Sequence, residues 1–269
     1  MKAIAIANFK GGVGKTTTAV NLAALLARDG KTVLAIDADA QHNLTSFFCP
    51  EWEGPTLTDL LRGEADQYAE SIIAPTAYDN LNLLCADMAL LTLDLAALLN
   101  DPRACGASAD KRLFDFLEAV REEYDYCLID CPPSFSAASV AALVCADEVI
   151  LPVKADAFSR AGALELIGQA RSLNHYNIAP RFRVLATMAD RTRLSRQAVD
   201  QLKLDGLDVF ATVIRSSVCC GESSYTRVPL YEYAPRSGAA QDYEQLLKEI
   251  TGGRAAEGVG PYGEVREDG

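Results

Sequence analysis

The sequence predicts a single α/β domain, a mostly parallel sheet with helices on both faces. Three observations lead there. Apolar runs of strand length alternate with amphipathic stretches of helix length almost from end to end. The runs are rich in Ile, Val and Leu, as strands buried on both faces are. Directly after the first run comes Lys10-Gly11-Gly12-Val13-Gly14-Lys15-Thr16-Thr17, glycine-rich and placed where a strand hands over to a helix.

In chain order, the alternation of alanine and isoleucine makes Ala3 to Asn8 the first strand, and the stretch Lys15 to Arg28 after the glycines the first helix. Thr32 to Asp37 is the second strand, an apolar run closed by an acid. A short helix is expected over Leu57 to Leu61, a strand over Leu81 to Cys85, and helices over Met88 to Leu99 and Asp110 to Glu123. Tyr126 to Asp130 is again an apolar strand ending in an acid. The helix Ser136 to Cys145, the strand Glu148 to Val153, the helix Arg160 to Asn174 and the strand Phe182 to Met188 continue the alternation. Ser195 to Leu204 and Gly238 to Ile250 are read as helices, with a strand from Asp208 to Ile214 between them. Residues 1–251 thus form the domain. The tail from 252 to 269 is Gly-rich and charged, lacks an apolar face, and is expected to be disordered.

Composition narrows the class. With 269 residues, 49% hydrophobic and 23% charged, the chain can bury a core, and 18 Gly and 11 Pro are too few for a fibrous or low-complexity protein. No apolar run approaches the ~18 residues of a membrane span, which gives the expectation of a cytoplasmic protein without a membrane partner. The eight cysteines contain no C-x-x-C pair and read as buried thiols. Net charge is −12, unevenly spread: residues 1–150 sum to −12, 151–250 to +2 and the last nineteen to −2. Nine basic residues face five acidic ones between 171 and 227, so a local basic face on an acidic body is expected.

The glycine-rich segment has the makings of a phosphate-binding loop. Its backbone N–H groups, with Gly11, Gly12, Val13 and Gly14 among them, converge on phosphate oxygens; the following helix adds its positive end; Lys15 reaches the β- and γ-phosphates; Thr16, beside Thr17, offers a hydroxyl to Mg²⁺. The first glycine of the ordinary G-x-x-x-x-G-K-[ST] pattern would fall at Phe9, and a lysine stands at position 10. This K-G-G-V-G-K-T-T resembles the deviant Walker A loop of the ParA/MinD ATPases, a branch of the P-loop NTPases. The resemblance covers about residues 1–250. It implies ATP and Mg²⁺ as cofactors, and a Lys10 that crosses a dimer interface to touch the partner subunit's nucleotide.

Further segments carry the resemblance. Ile36-Asp37-Ala38-Asp39-Ala40-Gln41-His42-Asn43 is similar to the family's D-x-D-P-Q-x-N, with Ala40 for the usual proline and His42 for a usual glycine. Period-two spacing puts Asp37 and Asp39 on one face. The resemblance assigns the attacking water to Asp39 and the neighbourhood of the Mg²⁺ shell to Asp37. Ile129-Asp130-Cys131-Pro132-Pro133-Ser134 matches I-D-[TC]-P-P-S, so Asp130 carries over as the residue that holds Mg²⁺ through water. Thr187-Met188-Ala189-Asp190 falls where the strand lining the base ends, which makes Met188 a base contact by family inference. Arg191-Thr192-Arg193-Leu194-Ser195-Arg196-Gln197 resembles the run beside which partition ATPases contact DNA. Arg191, Arg193, Arg196 and Arg215 are the candidates, since phosphate backbones need only positive groups.

The best-fitting member is a short, Soj-like partition ATPase, a slow and partner-stimulated ATP hydrolase. The loop at residue 10 leaves no room ahead of it for a helix-turn-helix domain, so any DNA binding is non-specific. The implied partners are a ParB-like centromere-binding protein, DNA, and a second copy when ATP is bound, with nucleoid association following. The alternative is a MinD-like or other nucleotide switch that acts through protein partners without DNA.

Overall fold

Alternation along the first strand sets up the architecture. Ala3, Ala5 and Ala7 join one apolar cluster, while Ile4 and Ile6 join another. A strand that feeds two cores is covered on both faces. The computed structural model describes residues 1–64, 70–93, 109–156, 159–172 and 180–252. Its strands are β1 (Lys2–Ile6), β2 (Val33–Asp37), β3 (Ile73–Pro75), β4 (Leu81–Leu84), β5 (Tyr126–Asp130), β6 (Glu148–Lys154) and β7 (Arg181–Thr187). The helices are α1 (Lys15–Arg28), α2 (Asn43–Phe48), α3 (Leu57–Arg62), α4 (Ala109–Ala119), α5 (Ala137–Cys145), α6 (Ser159–Ser172), α7 (Arg193–Leu204), α8 (Val218–Thr226), α9 (Leu230–Tyr233) and α10 (Gly238–Ile250).

The sheet order is β3-β4-β2-β5-β1-β6-β7. Every pairing is parallel except that of β3 on β4. β1 lies between β5 and β6, so the loop leaving its carboxyl end opens where the strand order reverses, the usual place for a ligand in an open α/β sheet. One face carries α3, α4, α5 and α6 over residues such as Leu34, Ile129 and Leu151; the other carries α1, α2 and α10 over Val33, Leu128 and Leu185. The single mostly parallel domain expected from the alternation is what forms.

One strand does not. Over 208–214 the apolar residues suggest a strand, yet the segment makes one isolated bridge to β7, Val184↔Val209, with a second just beyond both segments, Ala189↔Arg215. The cause is Glu249 on α10. Its carboxylate accepts the N–H groups of Ala211 at 3.1 Å and Thr212 at 2.7 Å, together with the Thr212 hydroxyl. Those donors leave the ladder, and the chain bulges there before rejoining β7 through Ile214 N to Ala186 O at 2.9 Å.

The short helices α2, α8 and α9 also escape sequence patterning, being too brief to show a period. The helix expected from Met88 to Leu99 is a turn at 88–89 and helical at 90–93; residues 94–99, the end of the Arg160–Asn174 helix, Cys105 and the tail from 253 lie outside the described residues. Among the described residues no helix is long and apolar enough to cross a membrane.

Candidate functional site

The loop between β1 and α1 is tied at three points. Asn8 is buried; its Nδ2 donates to Pro152 O at 2.7 Å and its Oδ1 accepts the Lys10 N–H at 2.9 Å. Thr187, closing β7, donates its hydroxyl to Val13 O at 2.9 Å. Gly12 (φ +70) and Gly14 (φ +91) supply the left-handed turns, where a side chain would strain the backbone. Gly14 begins α1 with no side-chain cap, so the first-turn N–H groups of a 14-residue helix face the loop. That is an anion site by geometry and by dipole.

Lys15 is the cation inside it. Its side chain is buried, with Nζ 3.4 Å from Lys10 O. Burial lowers its pKa, opposed by the negative charges of Asp130 and then Asp39. An ammonium so placed is poorly solvated and gains most from a multiply charged phosphate.

Two carboxylates stand across from it at matched register, Asp37 on β2 opposite Asp130 on β5. Asp37 accepts the Thr45 N–H at 2.8 Å and its hydroxyl at 2.9 Å on Oδ2, and the Asp39 N–H at 3.1 Å on Oδ1. It thereby caps the start of α2 from a neighbouring strand, which explains why so short a helix forms. Burial still dominates and pushes the Asp37 carboxyl up to about 6. Asp130 is fully buried and neither of its oxygens has a hydrogen-bond partner. Burial raises its pKa well above the usual range, the charge of Asp37 adds to that, and the neighbouring Thr16 hydroxyl and Lys15 ammonium offset it in part. Two orphaned carboxylate oxygens beside a threonine hydroxyl are the donors a hard divalent cation takes directly or through water. These residues fit Mg²⁺.

The alternation that would put Asp39 on one face with Asp37 ends at the strand end. Asp39 Oδ1 accepts the Gln41 N–H at 2.9 Å and its carbonyl accepts the His42 N–H at 2.8 Å, so the chain turns. Asp39 emerges half-buried, close enough to Lys15 to act on its charge. His42 sits at φ +42, a conformation glycine takes without strain.

Lys10 is exposed at the loop's tip, its Nζ 3.7 Å from Asp156. A cleft of about 520 Å³ begins two residues beyond Thr187, lined by Ala189, Asp190, Arg191, Arg215, Ser216 and Ser217 together with the start of α10. Met188 stands beside this cleft, exposed and at φ +51, and is not among its lining residues. Arg215 lines this cleft with its side chain about one-third exposed. Its guanidinium binds Asp242 through Nε and Nη2, at 2.9 and 2.7 Å, and donates to Gly238 O at 3.0 Å. Gly238 permits this, since a Cβ there would lie 2.9 Å from the guanidinium carbon. Arg191 and Arg193 are exposed and Arg196 half-buried at the start of α7, which Thr192 caps by accepting the Ser195 N–H at 3.3 Å. Asn8, Thr45, Thr187 and Asp156 carry no local signal in the sequence, since their partners Pro152, Asp37, Val13 and Lys10 lie 8 to 174 residues away along the chain.

A family model described as "AAA domain" matches residues 1–183. The chain is 38% identical to the sporulation initiation inhibitor protein Soj of Bacillus subtilis, over 93% of its own length and 98% of that protein. It is likewise 38% identical to the chromosome-partitioning ATPase Soj of Thermus thermophilus, over 93% and 95% of the two chains. The ATP complex of a Cyanothece McdA variant superimposes with a TM-score of 0.78 at 27% identity, covering 94% of this chain and 96% of that one. With a family model matching most of the chain and Soj relatives matched nearly end to end, the chain belongs to the ParA/Soj family of partition ATPases.

Proposed function

We propose that the chain hydrolyses ATP slowly, dimerises when ATP is bound, and in that state holds DNA without sequence preference while a ParB-like partner stimulates turnover. The replicon moved would be a chromosome, plasmid or integrative element. The observation that carries the reading is the pairing of buried Lys15 with the orphaned Asp130 under an uncapped helix start.

In this reading the loop N–H groups and Lys15 bind the phosphates, and Thr16, Asp130 and Asp37 hold Mg²⁺. Bound Mg²⁺ would neutralise phosphate charge. Asp39, free of the strand and facing Lys15, orients the attacking water, and Gln41 N–H holds its carboxylate in place. Lys10 reaches across to a second copy and adds its charge to the nucleotide held there, which couples hydrolysis to assembly. The cleft beside Asp190 has the volume to take the base, with Met188 at its edge.

Arg191, Arg193 and Arg196 form the DNA face, which dimerisation doubles. Screening over ~8–10 Å keeps the acidic half from opposing it at physiological salt. Reversing both exposed arginines, Arg191→Glu with Arg193→Glu, is expected to lower ATP-dependent DNA retention roughly tenfold or more at low salt and to flatten its salt dependence. Dimerisation should be unchanged. Gel filtration and filter binding at two salt concentrations check both. Equal retention by the parent and the variant removes the arginines from the DNA face. No retention by the ATP-loaded parent favours the switch that acts through protein partners, a reading to which the exposed Leu194, Val218 and Tyr225 lend support.

A further inference from the structure

The backbone that walls the cleft beyond β7 is held from α10. Asp242, buried on that helix, accepts the Arg215 N–H at 2.9 Å on Oδ2, and the same carboxylate takes the guanidinium, Nε on Oδ2 at 2.9 Å and Nη2 on Oδ1 at 2.7 Å. Nη2 donates again to Gly238 O at 3.0 Å. One residue on, the Ser216 N–H donates to Ala189 O at 3.0 Å, which ties this segment back to the end of β7. The Nε–Nη2 edge of the guanidinium is thereby occupied, and among the described hydrogen bonds none uses Nη1.

The plane of the guanidinium is oriented as well. A Cβ built on Gly238 would lie 2.9 Å from Cζ, 3.0 Å from Nε and 3.2 Å from Nη1. Distances so nearly equal put that point over the flat of the group and not at its rim, so Gly238 backs one face. The side chain still keeps 33% of its surface exposed and lines the cleft. With one face on Gly238 and one edge on Asp242, what is left open is the other face and the Nη1 edge.

We infer that Arg215 is a base-binding residue, its open face a platform on which the purine ring of the nucleotide stacks, and that Asp242 is the positioning residue that fixes the platform. This rests on the proposed function, in which the base lies in the cleft. Nucleobases stack on guanidinium planes, through cation–π attraction and dispersion. An arginine already held along one edge and one face loses little side-chain freedom when a base settles on it. The cleft begins two residues beyond Thr187, whose hydroxyl grips the phosphate loop at Val13 O, so one short connection sets the platform relative to the phosphates. A DNA phosphate makes the opposite demand. It is gripped best by a free two-nitrogen edge, and in Arg215 the Nε–Nη2 edge is on Asp242, whereas Arg191 and Arg193 are exposed.

The test titrates the full chain, in Mg²⁺, with ATP and with inorganic tripolyphosphate, which carries the phosphates and no base. The parent is expected to bind ATP more tightly than tripolyphosphate. Arg215→Ala should weaken ATP by about three- to tenfold and leave tripolyphosphate unchanged. Arg215→Lys, which keeps the charge and loses the plane, should weaken ATP nearly as much, and Asp242→Asn should act in the same direction. Because Arg215→Ala leaves the Asp242 carboxylate buried and unpaired, the double variant with Asp242→Ala is measured beside it. Parent-like ATP affinity in these alanine variants overturns the proposal. So does parent-like affinity in Arg215→Lys, which would make charge alone the cause. Equal loss of both ligands in an Arg215→Lys protein that melts like the parent makes the arginine structural and overturns it too. Parent-like affinity in Asp242→Asn removes the positioning role. A parent that binds ATP no more tightly than tripolyphosphate takes the base out of the cleft, and a parent that binds neither ends the functional reading; both failures are read from the parent alone and stand apart from a failure of the arginine.

Discussion

Lys15→Ala is expected to weaken ATP binding by about 1.5–3 kcal/mol, a factor of about 10–150, because it deletes a charge-assisted bond made inside a partly desolvated loop. The loop should survive the change, since Asn8, Thr187 and the glycine turns position it without help from the ammonium. Titration calorimetry with ATP and Mg²⁺ measures the loss, and a melting curve shows whether the fold is intact. Parent-like affinity in the variant would show that the phosphates sit elsewhere.

The second large effect is on stability. The Asp37 carboxyl keeps its proton to about pH 6 in the folded chain, against a value of 3.8 without the fold. Between those values the folded state binds more protons than the unfolded one. Stability of the nucleotide-free protein therefore declines as pH rises from about 4 through about 6, by about 3 kcal/mol for two pKa units, and stays lost above that. Asp130 acts in the same direction, for it too is raised by burial. Asp37→Asn removes its own share of the slope. It also loses one hydrogen bond, worth about 1 kcal/mol, because an amide nitrogen replaces one acceptor oxygen. Urea unfolding at pH 4.5 and pH 7 should show the parent losing about 2 kcal/mol more across the interval than Asp37→Asn does. Mg²⁺ with ATP should restore more stability to the parent at pH 7 than at pH 4.5. A parent and variant that decline in parallel would mean that Asp37 is ionised at little cost.

How much of this was legible depends on how far apart in the chain the interacting groups lie. The phosphate loop is local: glycines, Lys15 and Thr16 sit within one strand–helix junction, so spacing alone placed them. Strand-end acids are nearly as local, and Asp130 needed only an apolar run that stops at a carboxylate. Strand alternation would set Asp39 beside Asp37, but β2 ends at Asp37 and an Asx-type turn presents Asp39 instead. The missing strand at 208–214 shows the opposite case. Its apolar pattern is genuine, but its N–H groups go to Glu249, 37 residues beyond Thr212. Arg215 is similar, its guanidinium paired with Asp242 across 27 residues. The departure at His42 was visible in the sequence, and its consequence, a non-glycine residue at positive φ, needed the backbone.

ATP is expected to assemble two copies around a site in which Asp39 serves hydrolysis and not binding. Asp39→Ala separates these roles, because among the described hydrogen bonds the Asp39 carboxylate accepts the Gln41 N–H and makes none to the phosphate loop. Sedimentation velocity of this variant with Mg²⁺ is the most direct measurement. A monomer is expected without nucleotide and a persistent dimer with ATP, alongside hydrolysis reduced about a hundredfold or more by loss of the group that orients water. A monomer under both conditions, or hydrolysis at the parent rate, would contradict it.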